Sequence, residues 1–368
     1  MLLSKEALLD IPAVSSYFAR NALVTTRFND SCLFCVPTFS SVFIVQVNMA
    51  VKIQDNARIQ NRWKVEIDSV SCVAFGHNGH LLVLARDTRL FVLRFEEQQW
   101  KQVFSQDMHF YPRALTVIYY DKQKFDILIS GACGVVILAC DMERNEPSST
   151  KFLQGTCGHS CCCLVSHDSR IIAAATTDGR AAVWLRDEET FHWKPVSSLM
   201  PVRELFSLTA CDRIVDAALC YLEEEQLYFL ALGWWNGAVL VYKYTQDLSS
   251  SKLQWSREAC TKSHAWKDIS CGYLTWHCRK QQLMICTEPF RISILDVRNG
   301  TLIQNVFFPP SLWCQGISCC EDYLFLLCKN MNRSKRSSIH CSTLGEGNGI
   351  NNNDHNKENE WDRKKNVT

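Results

Sequence analysis

Residues 158–187 read GHSCCCLVSHDSRIIAAATTDGRAAVWLRD, and this stretch decides the fold. A Gly-His pair opens it. A first apolar run, Cys161 to Val165, is followed by the polar turn Ser166-His167-Asp168-Ser169. A second run spans Ile171 to Ala175, the pair Asp178-Gly179 makes a tight turn, and a third run ends in Trp184. Apolar runs of this length, punctuated by Gly, Asp and Ser, predict short antiparallel strands joined by hairpins.

The same unit recurs about seven times along the chain. The first copy is Ala22 to Phe28, Cys32 to Val36 and Val42 to Val47. The second is Val70 to Phe75, Leu81 to Ala85 and Leu90 to Phe95. The third is Ala114 to Tyr120, Asp126 to Ser130 and Val135 to Cys140. The quoted stretch is the fourth. The fifth is Ile214 to Tyr221, Leu227 to Leu232 and Ala238 to Tyr244. The sixth is Ile269 to Trp276, Leu283 to Thr287 and Ile292 to Val297. The seventh is Ile317 to Cys320, Tyr323 to Cys328 and a weaker run near Ser337 to Cys341. A further strand follows several copies, at Trp100 to Phe104, Phe191 to Trp193, Leu253 to Trp255 and Leu302 to Phe307. Only Met1 to Leu9 has spacing compatible with a short helix.

The Gly-His pair, the turn Asp and the strand-ending Trp, in this order and spacing, resemble a single WD repeat, the four-stranded blade of a β-propeller. The resemblance is full in the fourth unit and only an outline elsewhere: the sixth unit ends Leu295-Asp296, the second keeps Asp87 but ends in Phe95, and the fifth ends in Tyr242. It implies an all-β chain, a β-propeller of seven four-stranded blades. It also implies that His159, Thr176, Asp178 and Trp184 form a buried hydrogen-bonded tetrad that is structural rather than catalytic. A lone blade has two unsatisfied edges and two uncovered faces, so stacking in a ring is the expected solution. Ile11 to Phe18 is the expected donor of the strand that closes the ring; a fragment of a larger array is the alternative.

Composition sets the class. The 368 residues carry a formal net charge of +1, with 47% apolar and 21% charged residues. These values fit an ordinary globular protein and argue against a nucleic-acid or acidic-membrane surface. The twenty cysteines come without a recognisable secretory leader or an apolar run long enough to span a bilayer, and many sit inside strand-like runs. They predict free thiols in a reducing compartment, cytoplasmic or nuclear. The Cys32-Leu33-Phe34-Cys35 pair has no matching second pair for zinc. Its members, three apart on a strand, are expected on opposite faces, and the run Cys161-Cys162-Cys163 is expected to alternate in the same way.

The expected organisation is a propeller over residues 1–341 and a disordered Asn-rich tail over residues 342–368. The adjacent Trp234 and Trp235 cannot both point inward, which makes one of them a candidate partner contact. His264-Ala265-Trp266 and Phe308-Pro309-Pro310 are weaker loop candidates. The basic run Lys329 to Arg336 and the tripeptide Lys357-Glu358-Asn359 match short targeting and degradation patterns. No phosphate loop, nucleophile elbow, zinc-protease or dinucleotide fingerprint occurs. The reading is a scaffold or adaptor that mediates protein–protein interactions in a multi-subunit complex, with no cofactor and no enzymatic activity. The alternatives are a WD-repeat partner subunit of an RNA-linked assembly, such as a tRNA-modifying methyltransferase complex, and a propeller-type hydrolase.

Overall fold

The computed structural model describes residues 8–14, 22–49, 59–120, 123–144, 146–167, 169–187, 190, 192–199, 214–222, 227–234, 239–245, 254–260, 273–277, 281–288, 291–297, 301–309, 311–321, 323–330 and 336–343. Its strands fall into seven four-stranded antiparallel sheets. After β1 (Leu9–Pro12), blade 1 holds β2 (Val24–Phe28), β3 (Ser31–Pro37), β4 (Val42–Asn48) and β5 (Ile59–Val65). Blade 2 holds β6 (Val70–Gly76), β7 (Leu81–Arg86), β8 (Arg89–Glu96) and β9 (Gln99–Asp107). Blade 3 holds β10 (Ala114–Tyr119), β11 (Lys124–Gly131), β12 (Gly134–Asp141) and β13 (Ser149–Phe152). Blade 4 holds β14 (Cys161–His167), β15 (Ile171–Thr176), β16 (Ala181–Arg186) and β17 (Trp193–Leu199). Blade 5 holds β18 (Ile214–Leu222), β19 (Leu227–Trp234), β20 (Val239–Thr245) and β21 (Gln254–Cys260). Blade 6 holds β22 (Tyr273–His277), β23 (Gln282–Glu288), β24 (Arg291–Asp296) and β25 (Thr301–Phe307). Blade 7 holds β26 (Leu312–Cys320), β27 (Tyr323–Asn330) and β28 (Arg336–Thr343), with β1 as its fourth strand.

The first strand of each blade lies innermost, because these strands touch one another in sequence around the axis: β2, β6, β10, β14, β18, β22, β26 and back to β2. The buried apolar side chains form seven clusters, each between two consecutive blades. The cluster between blades 7 and 1 is as full as the rest, with Phe34, Val36, Phe325, Leu327 and Ile339. This is why strands such as Ser31–Pro37 and Leu227–Trp234 are buried along their whole length. Both faces of a blade meet a neighbour, so these central strands are apolar on both sides rather than alternating with polar residues.

The ring closes through β1, which pairs antiparallel with β28 from Leu9↔Ile339 to Pro12↔Arg336. The donor strand therefore starts two residues before the expected Ile11 and ends at Pro12; Val14 makes one further bridge, to Thr38. Leu9 is in a strand rather than the short helix its spacing suggested, because Leu9 and Ile11 bury against blade 1. Residues 1–7, where the rest of that helix was expected, lie outside the described residues. Strand β28 runs to Thr343, two residues beyond the expected boundary of the propeller; residues 344–368, expected as the tail, lie outside the described residues. The Asp178-Gly179 turn is also wider than a two-residue hairpin. Only Gly179 takes a positive φ, +83°, and residues 177–180 make the connection.

Candidate interaction face

Strand order fixes the two ends of the ring. Each blade is antiparallel and read outward from the axis, so first and third strands start, and second and fourth strands end, at one end of the ring. Every second-to-third and blade-to-blade connection lies at that end. It also carries most of the large exposed apolar side chains. Phe39, 53% exposed, sits between β3 and β4, and Tyr111, 67% exposed, sits between β9 and β10. Trp313, 45% exposed, is the second residue of β26, and Phe307 and Phe152 end the outer strands β25 and β13. These side chains are distributed around one end of the ring, and aromatic residues are enriched at protein-binding surfaces. Polar groups frame them: Arg86 pairs with Asp68 at 2.6 Å, Arg180 with Asp178 at 3.2 Å, and Arg113 Nη1 donates to Ser160 Oγ at 2.8 Å across blades 3 and 4.

The sequence motif in blade 4 lands on this end but does not form the expected buried tetrad. Thr176 Oγ1 donates to Asp178 Oδ1. His159 and Asp178 are exposed, and Trp184 Nε1 donates instead to the backbone carbonyl of Gln154 at 2.9 Å. The hydroxyl buried here belongs to Thr156: its Oγ1 donates to Leu153 O at 2.8 Å and accepts Val135 N at 3.0 Å, tying the linker to blade 3. The linker between the blades turns through Gly155 and Gly158, at φ +83° and +82°, and this places His159 at the solvent surface. Of the expected set, Thr176 and Asp178 are brought together and His159 and Trp184 go elsewhere.

The expected aromatic contact also changes. Trp234 is only 2% exposed and packs between blades 4 and 5 against Ile214, Leu230 and Tyr242, so it is core and not an anchor. Trp235 lies outside the described residues, as do His264-Ala265-Trp266, residues 331–335 of the basic run and Lys357-Glu358-Asn359. Phe308 is buried between blades 6 and 7, and its neighbour Phe307 is the exposed one. Tyr111, Phe39 and Trp313 escaped the sequence reading because each lies in or beside a connection, outside the periodic runs. Their signal is an aromatic among turn residues, as in Tyr111-Pro112 and Phe39-Ser40-Ser41.

The cysteines divide between interfaces. Cys32 faces the cluster between blades 7 and 1, and Cys35 faces that between blades 1 and 2, on opposite sides of β3. Cys161 faces blade 3. Cys162 and Cys163 both pack toward blade 5, their sulfurs 3.8 Å apart, because a bulge between Cys161 and Cys163 breaks the alternation expected for the run. Burial pushes the Cys35 thiol up and raises those of Cys140 and Cys161 to about 12. No group of three or more metal-ligating side chains converges among the described residues.

The innermost strands line the axis with hydroxyls paired across blade boundaries: Thr25 with Ser318 and Thr116 with Ser166, each at 2.6 Å. Asp216, in β18, accepts Leu274 N from β22 at 2.8 Å, so this buried carboxylate holds two blades together. A second buried carboxylate, Asp126, sits between blades 3 and 4. It accepts the Tyr120 hydroxyl, and the Arg186 guanidinium lies 3.9 Å above the Tyr120 ring. Burial raises the Asp126 carboxyl to about 6, opposed by the Lys151 and Arg186 cations and the Trp193 indole. Both carboxylates are committed to blade junctions.

No family model matches the sequence, and no curated protein is similar to it. Among solved structures, the chain is similar to the β-propeller domain of Cps50 (Swd1) from Myceliophteria thermophila, with a TM-score of 0.64 and 13% sequence identity. The similarity covers 92% of this chain and 99% of that one. The shared property is the fold, a β-propeller, carried through nearly the whole ring.

Proposed function

We propose that the chain is a non-catalytic scaffold that docks other proteins within a multi-subunit complex, in the cytoplasm or the nucleus. The observation that carries this reading is the placement of Phe39, Tyr111 and Trp313, all large, all exposed, at one end of a ring whose other apolar side chains are overwhelmingly buried. A ring held by seven buried interfaces presents its connections rigidly, which reduces the ordering cost of binding. Asp126 and Asp216, each held at a blade junction, offer no convergent acid–base pair. Cys32, Cys35, Cys140, Cys314 and Cys328 are free thiols buried in the blade interfaces, in keeping with a reducing compartment.

The test is affinity purification of the tagged chain from its own cells, comparing wild type with Tyr111→Ala/Trp313→Ala. The double variant is expected to lose the partners that wild type retains in stoichiometric amount, with its unfolding temperature unchanged. An identical partner set for both chains overturns the assignment of this face.

A further inference from the structure

The seam between blades 7 and 1 joins strands that lie at opposite ends of the sequence. Toward the end of the ring away from the docking face, contacts cross this seam in order. Thr25 Oγ1 lies 2.6 Å from Ser318 Oγ and donates to Cys319 O at 3.4 Å, and Arg27 Nη1 donates to Glu321 Oε1 at 3.1 Å. Two thiols sit beside these contacts. Cys32 stands opposite Arg27 in the register of β2 and β3, and Cys320 ends β26, next to Glu321. Both side chains are buried in the apolar cluster of the seam, Cys32 completely and Cys320 at 8% exposure, and Cys341 is half-buried at its margin. Cys319 faces the other way, into the cluster between blades 6 and 7. Burial, and then the hydrogen bond shared with Cys320, push the Cys32 thiol well above its ordinary value.

We propose that Cys32 and Cys320 are an oxidation site, joined by peroxide into a disulfide that clasps the seam of the ring. The consequence of the bond sets this pair apart. Cys162 and Cys163 are adjacent in sequence, and Cys314 and Cys328 are partners within one sheet, so a bond in either pair closes a short loop. A bond from Cys32 to Cys320 closes most of the chain into one loop, and the entropy a disulfide removes from the unfolded chain grows with loop length. It adds a covalent tie at the seam, beside a blade whose fourth strand is the four-residue β1. The chemistry balances with hydrogen peroxide as oxidant. Cys320, the less buried of the two, attacks one peroxide oxygen; the O–O bond breaks, and a sulfenic acid and one water result. The Cys32 sulfur then attacks the Cys320 sulfur. The S–S bond forms, and the hydroxyl leaves with the Cys32 proton as a second water. Two thiols are oxidised and one peroxide is reduced. Without oxidant a reducing compartment keeps both groups as thiols. The clasp is independent of the docking face, and its failure leaves that reading untouched.

The experiment treats the full native chain with about one equivalent of hydrogen peroxide, blocks the remaining thiols by alkylation, and only then denatures it. Peptide mass spectrometry of wild type is expected to find Cys32 linked to Cys320, with fragmentation separating these from their neighbours Cys35 and Cys319. The oxidised chain is expected to run faster on a non-reducing denaturing gel, because the large loop keeps it compact, and to return to its former mobility with dithiothreitol. Its unfolding temperature is expected to rise by about 5 °C. Cys320→Ser is expected to lose the fast band, and Cys341→Ser, at the half-buried margin, to keep it. The cross-link in wild type decides the pairing even if Cys320→Ser folds poorly. A wild-type chain with no Cys32–Cys320 link, a Cys320→Ser chain that keeps the fast band, a Cys341→Ser chain that loses it, or a linked chain that unfolds no higher than the reduced one overturns the proposal.

Discussion

The indole of Trp184 donates to the backbone carbonyl of Gln154 at 2.9 Å, so the third strand of blade 4 is tied to the linker that arrives from blade 3. The bond pins the blade junction rather than the turn at Asp178. Trp184 is almost fully buried, while His159 is exposed. Trp184→Ala is therefore expected to cost about 3–5 kcal/mol, and Trp184→Phe about 1–2 kcal/mol through lost volume and the lost hydrogen bond. His159→Ala should stay within about 0.5 kcal/mol of wild type. Urea unfolding of the three variants tests this; a large loss in His159→Ala would restore the buried tetrad.

Asp126 makes stability fall with rising pH. Its carboxyl, held at about 6 by burial, binds a proton in the folded chain that the unfolded chain releases above its ordinary value of about 3.9. Its contribution is greatest below about pH 4 and declines through pH 6, leaving a penalty of roughly 2–3 kcal/mol at neutral pH. Asp126→Asn removes this titration. The stability difference between the variant and wild type should grow in favour of the variant between pH 4 and 6 and then level off. Parallel urea midpoints across that range would disprove it.

The closing strand is short, but it carries two buried side chains. Ile11 is 3% exposed and packs with Phe34 and Ile339 across the seam between blades 7 and 1. Ile11→Ala is expected to destabilise the chain by about 2–4 kcal/mol. Hydrogen exchange should quicken in β28 first, because β28 loses the partner that covers its outer edge. Uniform exchange changes around the ring would argue that closure does not depend on β1.

Thiol reactivity should follow burial. Cys157 is exposed on the linker between blades 3 and 4, whereas Cys140 and Cys161 are buried with their thiols raised to about 12. An alkylating reagent at neutral pH should label Cys157 well before either of the others, by peptide mass spectrometry. Early labelling of Cys161 would mean that blades 3 and 4 separate readily.

The amino-acid pattern by itself determined most of the strands, a repeat of about seven units and the need for a closing strand. Apolar runs and the turn residues between them act locally: Cys32 to Val36 and Leu227 to Leu232 read as strands because nothing but a sheet buries both sides of so short a run. Two fourth strands, Ile59–Val65 and Ser149–Phe152, stayed hidden because outermost strands face solvent and carry little apolar signal. The tertiary structure alone decided what each face meets. Trp234 became core because blade 4 covers it, and His159 became exposed because the linker turns at Gly155 and Gly158. Cys162 changed side because of one bulge. One end of the ring carries Phe39, Tyr111 and Trp313, from blade 1, the connection between blades 2 and 3, and blade 7. Blades 7 and 1 become neighbours only on ring closure between strands nearly three hundred residues apart, β2 and β26, joined by the bond between Thr25 and Ser318. A local pattern fixes what a segment buries; only the assembled ring fixes against which neighbour, and therefore what remains uncovered.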